Sequence, residues 1–232
     1  MRVDRLLVVV AITVLFGVAS CRKQPTQTAD DNAGSIQCSP VLKYFPLDGE
    51  TGAGSLFFGQ YQADWEGHLL AYMKEPPLYG CGVIDKSNEY RFLWDRSLSE
   101  SIAVRLAVNS DGSGTLFVRM LQHGGLLPAV EAGEKFVAPD EWYKLKLDRR
   151  VDLSAEQVRQ LTDMFRVVLH LPDNPRHVGE TTDGSDWVFE SRINGRYRVK
   201  DFRNKQPEAA RTLGLLMALT IGQVPLSKDQ IY

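Results

Sequence analysis

The chain reads as a single α+β domain, with an antiparallel, hairpin-rich sheet and about three helices packed on one face. Three observations predict this. Runs alternating apolar and polar residues fill the middle and late parts of the chain. Two joins between such runs carry turn chemistry, Ser110-Asp111-Gly112-Ser113-Gly114 and Asn194-Gly195. Segments with apolar residues every three or four positions bracket the alternating runs. At 44% hydrophobic and 24% charged, the composition excludes collagen-like, coiled-coil and wholly disordered chains.

A Gly-rich loop over 47–55 precedes the first helix, in which Phe58, Tyr61, Trp65, Leu69, Tyr72 and Met73 recur at helical spacing. It ends at Glu75-Pro76-Pro77, because proline disfavours a helical residue before it. Tyr90, Phe92 and Trp94 mark a strand, then Ile102, Val104, Leu106 and Val108 another. The Gly-rich turn leads into Leu116, Val118 and Met120, a hairpin with one face on a core. Residues 123–140 read as loop, and Tyr143, Leu145 and Leu147 as a further strand. Ser154 and Gln157 form a capping box, each side chain satisfying an orphan amide at a helix start. Val158, Leu161, Phe165 and Val168 are that helix's buried stripe, and Pro172 stops it. Asn194-Gly195 suits a type I′ turn between strands at Trp187–Ile193 and Arg196–Arg203. A last helix starts near Pro207, and its apolar run Leu213–Ile221 is too short to span a bilayer.

Residues 1–20 read as a secretory leader rather than fold material. Arg2 and Arg5 precede an apolar run from Leu6 to Phe16, followed by small residues. That run is about 11 residues, so it rises ~17 Å against a hydrocarbon core of ~30 Å. Val18-Ala19-Ser20-Cys21 resembles the lipobox of bacterial lipoproteins. The resemblance implies cleavage before Cys21, a diacylglyceryl group on its sulfur and an acylated amine. Two or more acyl chains anchor stably where one is marginal. The same resemblance, with Arg22 rather than Asp after the cysteine, implies the outer membrane, periplasmic side, rather than the inner membrane. Residues 21–37 are then the lipidated cysteine and a polar tether with a coil span of roughly 20–24 Å. The domain runs over 38–232.

With Cys21 lipidated, Cys38 and Cys81 remain as an even pair in an oxidising compartment, which reads as a disulfide. Chain-entropy arguments give such a bridge about 4 kcal/mol. Neither cysteine has partners at zinc spacing, and no metal or cofactor is called for. A formal net charge of −2 gives no ground for nucleic-acid binding.

Familiar catalytic motifs are missing: no HExxH, no GxSxG and no phosphate-cradling loop. Residues 109–114 superficially match a calcium loop. Its twelfth position is Met120 instead of Glu, and strands flank it, so a hairpin turn is the reading. The hydrolase alternative rests on His170 and His177 with the acids from Asp173 to Glu190, including Asp183 and Asp186. Against it stands the turn preference of Asp. The strongest local signal is basic. Arg192, Arg196, Arg198, Lys200, Arg203 and Lys205 face one acid, Asp201. By period two, Arg196, Arg198 and Lys200 share a face, with Phe202 at its end. Arg192, Arg196, Arg198 and Lys200 are the candidates for binding an anionic lipid surface or envelope polymer.

Several phrases occur together: Trp65-Glu66, Glu75-Pro76-Pro77-Leu78, Tyr90-Arg91-Phe92-Leu93-Trp94, Asp183-Gly184-Ser185-Asp186-Trp187-Val188-Phe189-Glu190 and Gly195-Arg196-Tyr197. The set resembles a family of uncharacterised bacterial envelope proteins with no assigned activity. It implies one domain and supplies no catalytic residue. The expectation is a lipid-anchored, periplasm-facing lipoprotein, and a non-enzymatic binding or structural domain ahead of the hydrolase alternative.

Overall fold

Period-two alternation becomes a six-stranded antiparallel sheet in the computed structural model. The structure describes residues 44–46, 60–80, 87–96, 99–122, 144–172, 185–203, 206–227 and 231. Helix α1 (Gln60–Tyr72) comes first. Strands β1 (Asn88–Arg96), β2 (Ile102–Val108), β3 (Gly114–Leu121) and β4 (Leu145–Leu153) follow. Then come α2 (Ala155–Leu169), β5 (Ser185–Ile193), β6 (Arg196–Arg203) and α3 (Glu208–Leu215). A π-helical turn, Leu216–Ile221, continues α3 without a break. The α+β class is as expected. The leader, Cys21, the tether, loop 47–55, Cys38, Cys81 and loop 123–140 lie outside the described residues.

Strands β1 to β4 form a meander, and the β5–β6 hairpin adds to the free side of β1, giving the order β4-β3-β2-β1-β5-β6. The hairpin is set by its turn. Asn194 and Gly195 both hold positive φ, 51° and 78°, as a type I′ turn requires. At the other tight turn Asp111 Oδ1 accepts from Ser113 N at 2.9 Å and Ser113 Oγ at 2.6 Å, so its carboxylate organises the hairpin. The capping box of α2 is present in both directions, and Val158, Leu161, Phe165 and Val168 are all buried.

One face of the sheet is apolar. Tyr90, Phe92 and Trp94 pack beside Val104, Leu116, Val118, Phe189 and Phe202. Phe92 and Phe189 are cross-strand partners with ring centroids 4.8 Å apart. Such a pair contributes ~0.5–1.5 kcal/mol beyond its burial. The α2 stripe and Ala210, Leu213, Met217 and Ala218 cover this face. Gly214 lets α3 sit close, because a Cβ there would stand 2.4 Å from Trp187 Cζ3 and 2.8 Å from Phe92 Cζ.

The sequence placed all three helices on one face, but α1 departs from that. Its Leu69 and Leu70, with Met73 just beyond, pack with Leu93, Ala103 and Val188, which alternation sends to the opposite face. Helical spacing shows that a stripe exists, not which side of a sheet receives it. Among the described residues no helix is long and apolar enough to cross a membrane.

Candidate functional site

The two-residue turn fixes the hairpin register, and the register divides the basic run. Ile193 faces Arg196, Arg192 faces Tyr197, and Ser191 faces Arg198. Arg196, Arg198 and Lys200 therefore share a side with Ser191, Phe189 and Phe202. Arg192 does not. It is 5% exposed and donates from Nη2 to Glu89 Oε2 at 2.6 Å on the other face. Arg192 leaves the candidate anion-binding set for that reason. Lys200 is also buried, deeper along the strand from Arg198.

Arg196 and Arg198 do not form an open sheet face either. The C-terminal half of α2 lies beside them, and the gap is a cleft of about 590 Å³. Thr162, Arg166, Leu169 and His170 line it from α2. Tyr90, Ser191, Ile193, Asn194, Arg196 and Arg198 line it from the sheet and turn. Three arginines thus line one cleft, brought there by a helix and a hairpin that are remote in sequence.

The α2 C-terminus is wired to the hairpin through His170. Its Nδ1 lies 2.6 Å from Arg166 O and its Nε2 2.6 Å from Arg198 Nη1. Arginine can only donate, so Nε2 accepts and Nδ1–H donates to the carbonyl. The imidazole in this arrangement is neutral and steers Arg198 along the cleft. Arg166 is paired with Asp163 at 3.1 Å, both half exposed or more. Arg196 has no carboxylate partner among the described residues. Ser191 is 0% exposed, and its Oγ has no hydrogen-bond partner among the described residues. Burial pushes the Tyr90 phenol up from its ordinary value, only partly opposed by Arg166, so it stays a neutral hydroxyl.

On the opposite face the charges are closed in. Arg91 donates from Nε to Glu190 Oε2 at 2.6 Å and from Nη1 to Pro76 O at 2.6 Å. Arg105 binds Glu75 and Glu89, each at 2.7 Å, and Arg119 binds Glu75 at 2.8 Å. Tyr197 donates to Glu190 Oε1 at 2.7 Å. Burial pushes the Tyr197 phenol well up, with the Glu190 charge adding to it. Burial is the largest influence on Arg91 and would lower it; the Glu190 charge and hydrogen bond, with Glu75 and Tyr197, together more than offset this and keep the guanidinium protonated. Residues from four of the quoted phrases, Glu75-Pro76, Arg91, Glu190 and Tyr197, therefore meet in one ionic layer.

That layer decides against part of the hydrolase set. Glu190 is spent on Arg91 and lies across the sheet from His170. Asp186 is also on the far face, opposite Asp95 in register. Burial pushes Asp186 up to about 6, with Arg203 opposing and Asp95 adding. Asp95 is itself raised by burial, although Trp65 Nε1 and Ser101 Oγ both donate to it. His123, His177, Asp173 and Asp183 lie outside the described residues. Among the described residues no group of three or more His, Cys, Asp or Glu is placed to hold a metal ion.

Sequence reasoning missed Thr162, Arg166, Tyr90 and Ser191. The signal was partly present: Thr162, Arg166 and Leu169 follow helical spacing along one edge of the α2 stripe. Nothing local says that this edge faces the hairpin. No family model matches the chain, and neither a curated protein nor a solved structure does.

Proposed function

We propose that the protein is a lipid-anchored lipoprotein of the bacterial cell envelope, held through Cys21 on the periplasmic side of the outer membrane, whose α+β domain is a non-enzymatic module for binding anions. The observation that carries the binding half is the cleft lined by Arg166, Arg196 and Arg198, with the His170 ring against Arg198. Guanidiniums suit carboxylate and phosphate groups because their donors form a planar fork. Anionic lipid headgroups and acidic polymers are the partners such an address would offer. The anchoring half rests on the leader and on Val18-Ala19-Ser20-Cys21.

Two experiments test the reading. Cys21→Ser should abolish metabolic labelling with an alkyne fatty acid and leave uncleaved precursor; normal labelling refutes the anchor. Detergent-solubilised protein should be retained by immobilised dextran sulfate at low salt and released as salt rises. Replacing Arg196 and Arg198 with Gln should bring elution to lower salt. Retention unchanged by these substitutions refutes the cleft as the binding surface.

A further inference from the structure

We propose that the cleft between α2 and the β5–β6 hairpin takes a phosphomonoester attached to an apolar body. This rests on the anion-binding reading above and names the ligand class.

The charge balance selects a dianion. Asp163 answers Arg166. Among the described residues Arg196 meets no carboxylate, and Arg198 is partnered by the neutral His170 ring. Two guanidiniums are therefore left without a countercharge among the described residues. A phosphomonoester carries ≈ −1.5 to −2 near neutral pH. A carboxylate, a sulfate ester or a phosphodiester carries one charge and would leave one arginine unanswered.

The donors also suit a tetrahedral head with several acceptor oxygens. Ser191 Oγ is fully buried, unpartnered among the described residues and on the cleft wall, directly across the strand pair from Arg198. A buried hydroxyl without a partner is costly, and an oxygen of the ligand would satisfy it. Asn194 and Thr162 add polar groups at the cleft. The rest of the lining is not built for a bare ion. Leu169, Ile193 and the Tyr90 ring offer apolar surface. At about 590 Å³ the space falls within the ~300–1,000 Å³ usual for organic ligands.

Hexyl phosphate is the probe, titrated calorimetrically into the full-length, detergent-solubilised protein. Hexyl sulfate keeps the tail and removes one charge; inorganic phosphate keeps the head and removes the tail. Hexyl phosphate should bind about tenfold tighter than either, and Arg196→Gln and Arg198→Gln should each weaken it about tenfold. Ser191→Ala should weaken it roughly threefold. Arg196 and Arg198 are exposed, so their variants should keep the parent melting temperature. Hexyl sulfate binding as tightly overturns the dianion, and inorganic phosphate binding as tightly overturns the apolar body. Failure of hexyl phosphate, with Arg196- and Arg198-dependent retention on dextran sulfate intact, removes this inference alone. Failure of both removes the anion-binding reading too. In either remaining case the class is upheld and its source is identified. With the protein in phosphatidylcholine vesicles, added phosphatidic acid weakens hexyl phosphate binding if a lipid headgroup is the occupant. It leaves binding unchanged if the occupant is water-soluble.

Discussion

The two faces of the sheet obey the same alternation and reach opposite solutions. On one, aromatic rings from β1, β5 and β6 close against α2 and α3, and Ser191, Arg196 and Arg198 lie at the cleft end. On the other, Arg91, Glu190 and Glu75 are at most 2% exposed, and they are held by each other instead of by water. An antiparallel sheet usually solvates its polar face. Here the part of that face on β1, β2 and β5 is buried as well, so its charges must be matched in place. Arg196 and Arg198 stay exposed beside the cleft, where a ligand can reach them.

If the ionic face is a closed set, breaking one member should cost more than any change on the apolar side. Arg91→Ala strands Glu190 in the interior and should lower stability by ~3–5 kcal/mol in urea unfolding. The double replacement Arg91→Met with Glu190→Leu should recover most of that loss, since apolar substitutes need no partner. A single variant as stable as the parent would show that water reaches the layer.

The apolar face is tested by overpacking. Helix propensity alone favours Gly214→Ala by ~1 kcal/mol. The contacts of an added Cβ with Trp187 and Phe92 oppose it, and a net loss of ~2 kcal/mol is expected. A raised melting temperature would mean that the rings give way easily.

The smallest effect sharpens the boundary between the faces and their surroundings. Asp186 is raised from 3.8 to about 6, so the folded state holds its proton more tightly than the unfolded chain. The associated stability is fully present below the unfolded value and disappears as pH rises through about 6. With 27% of the side chain exposed, the effect is ~1–2 kcal/mol after screening. Asp186→Asn should therefore be more stable than the parent at about pH 8, and the gap should close towards about pH 4. A gap independent of pH would assign the gain to something other than the carboxyl charge.

What could be read from the residues was local. Ser154 with Gln157, the α2 stripe and Asn194-Gly195 each specify their structure within a few positions, and each is found as written. The side on which α1 packs was not legible, because its stripe is the same whichever face it meets. Arg192 is a different kind of miss. A two-residue turn at Asn194-Gly195 pairs Arg192 with Tyr197 by counting alone, so parity already separates it from Arg196. A run of like charges in sequence looked like a patch, and strand geometry divided it. The cleft itself needed α2 against the hairpin, a contact that no local pattern encodes.

Strand order also arranges the molecule in time. The β1–β2–β3–β4 meander joins neighbours in sequence, whereas β1 meets β5 through partners such as Glu89 and Arg192, across the whole of α2 and three strands. Closing so long a loop is slow compared with forming hairpins. Pulse-labelled amides of β2 and β3 should thus gain protection first and those of β5 and β6 last, making the ligand-sized gap the final part of the newborn domain to take shape.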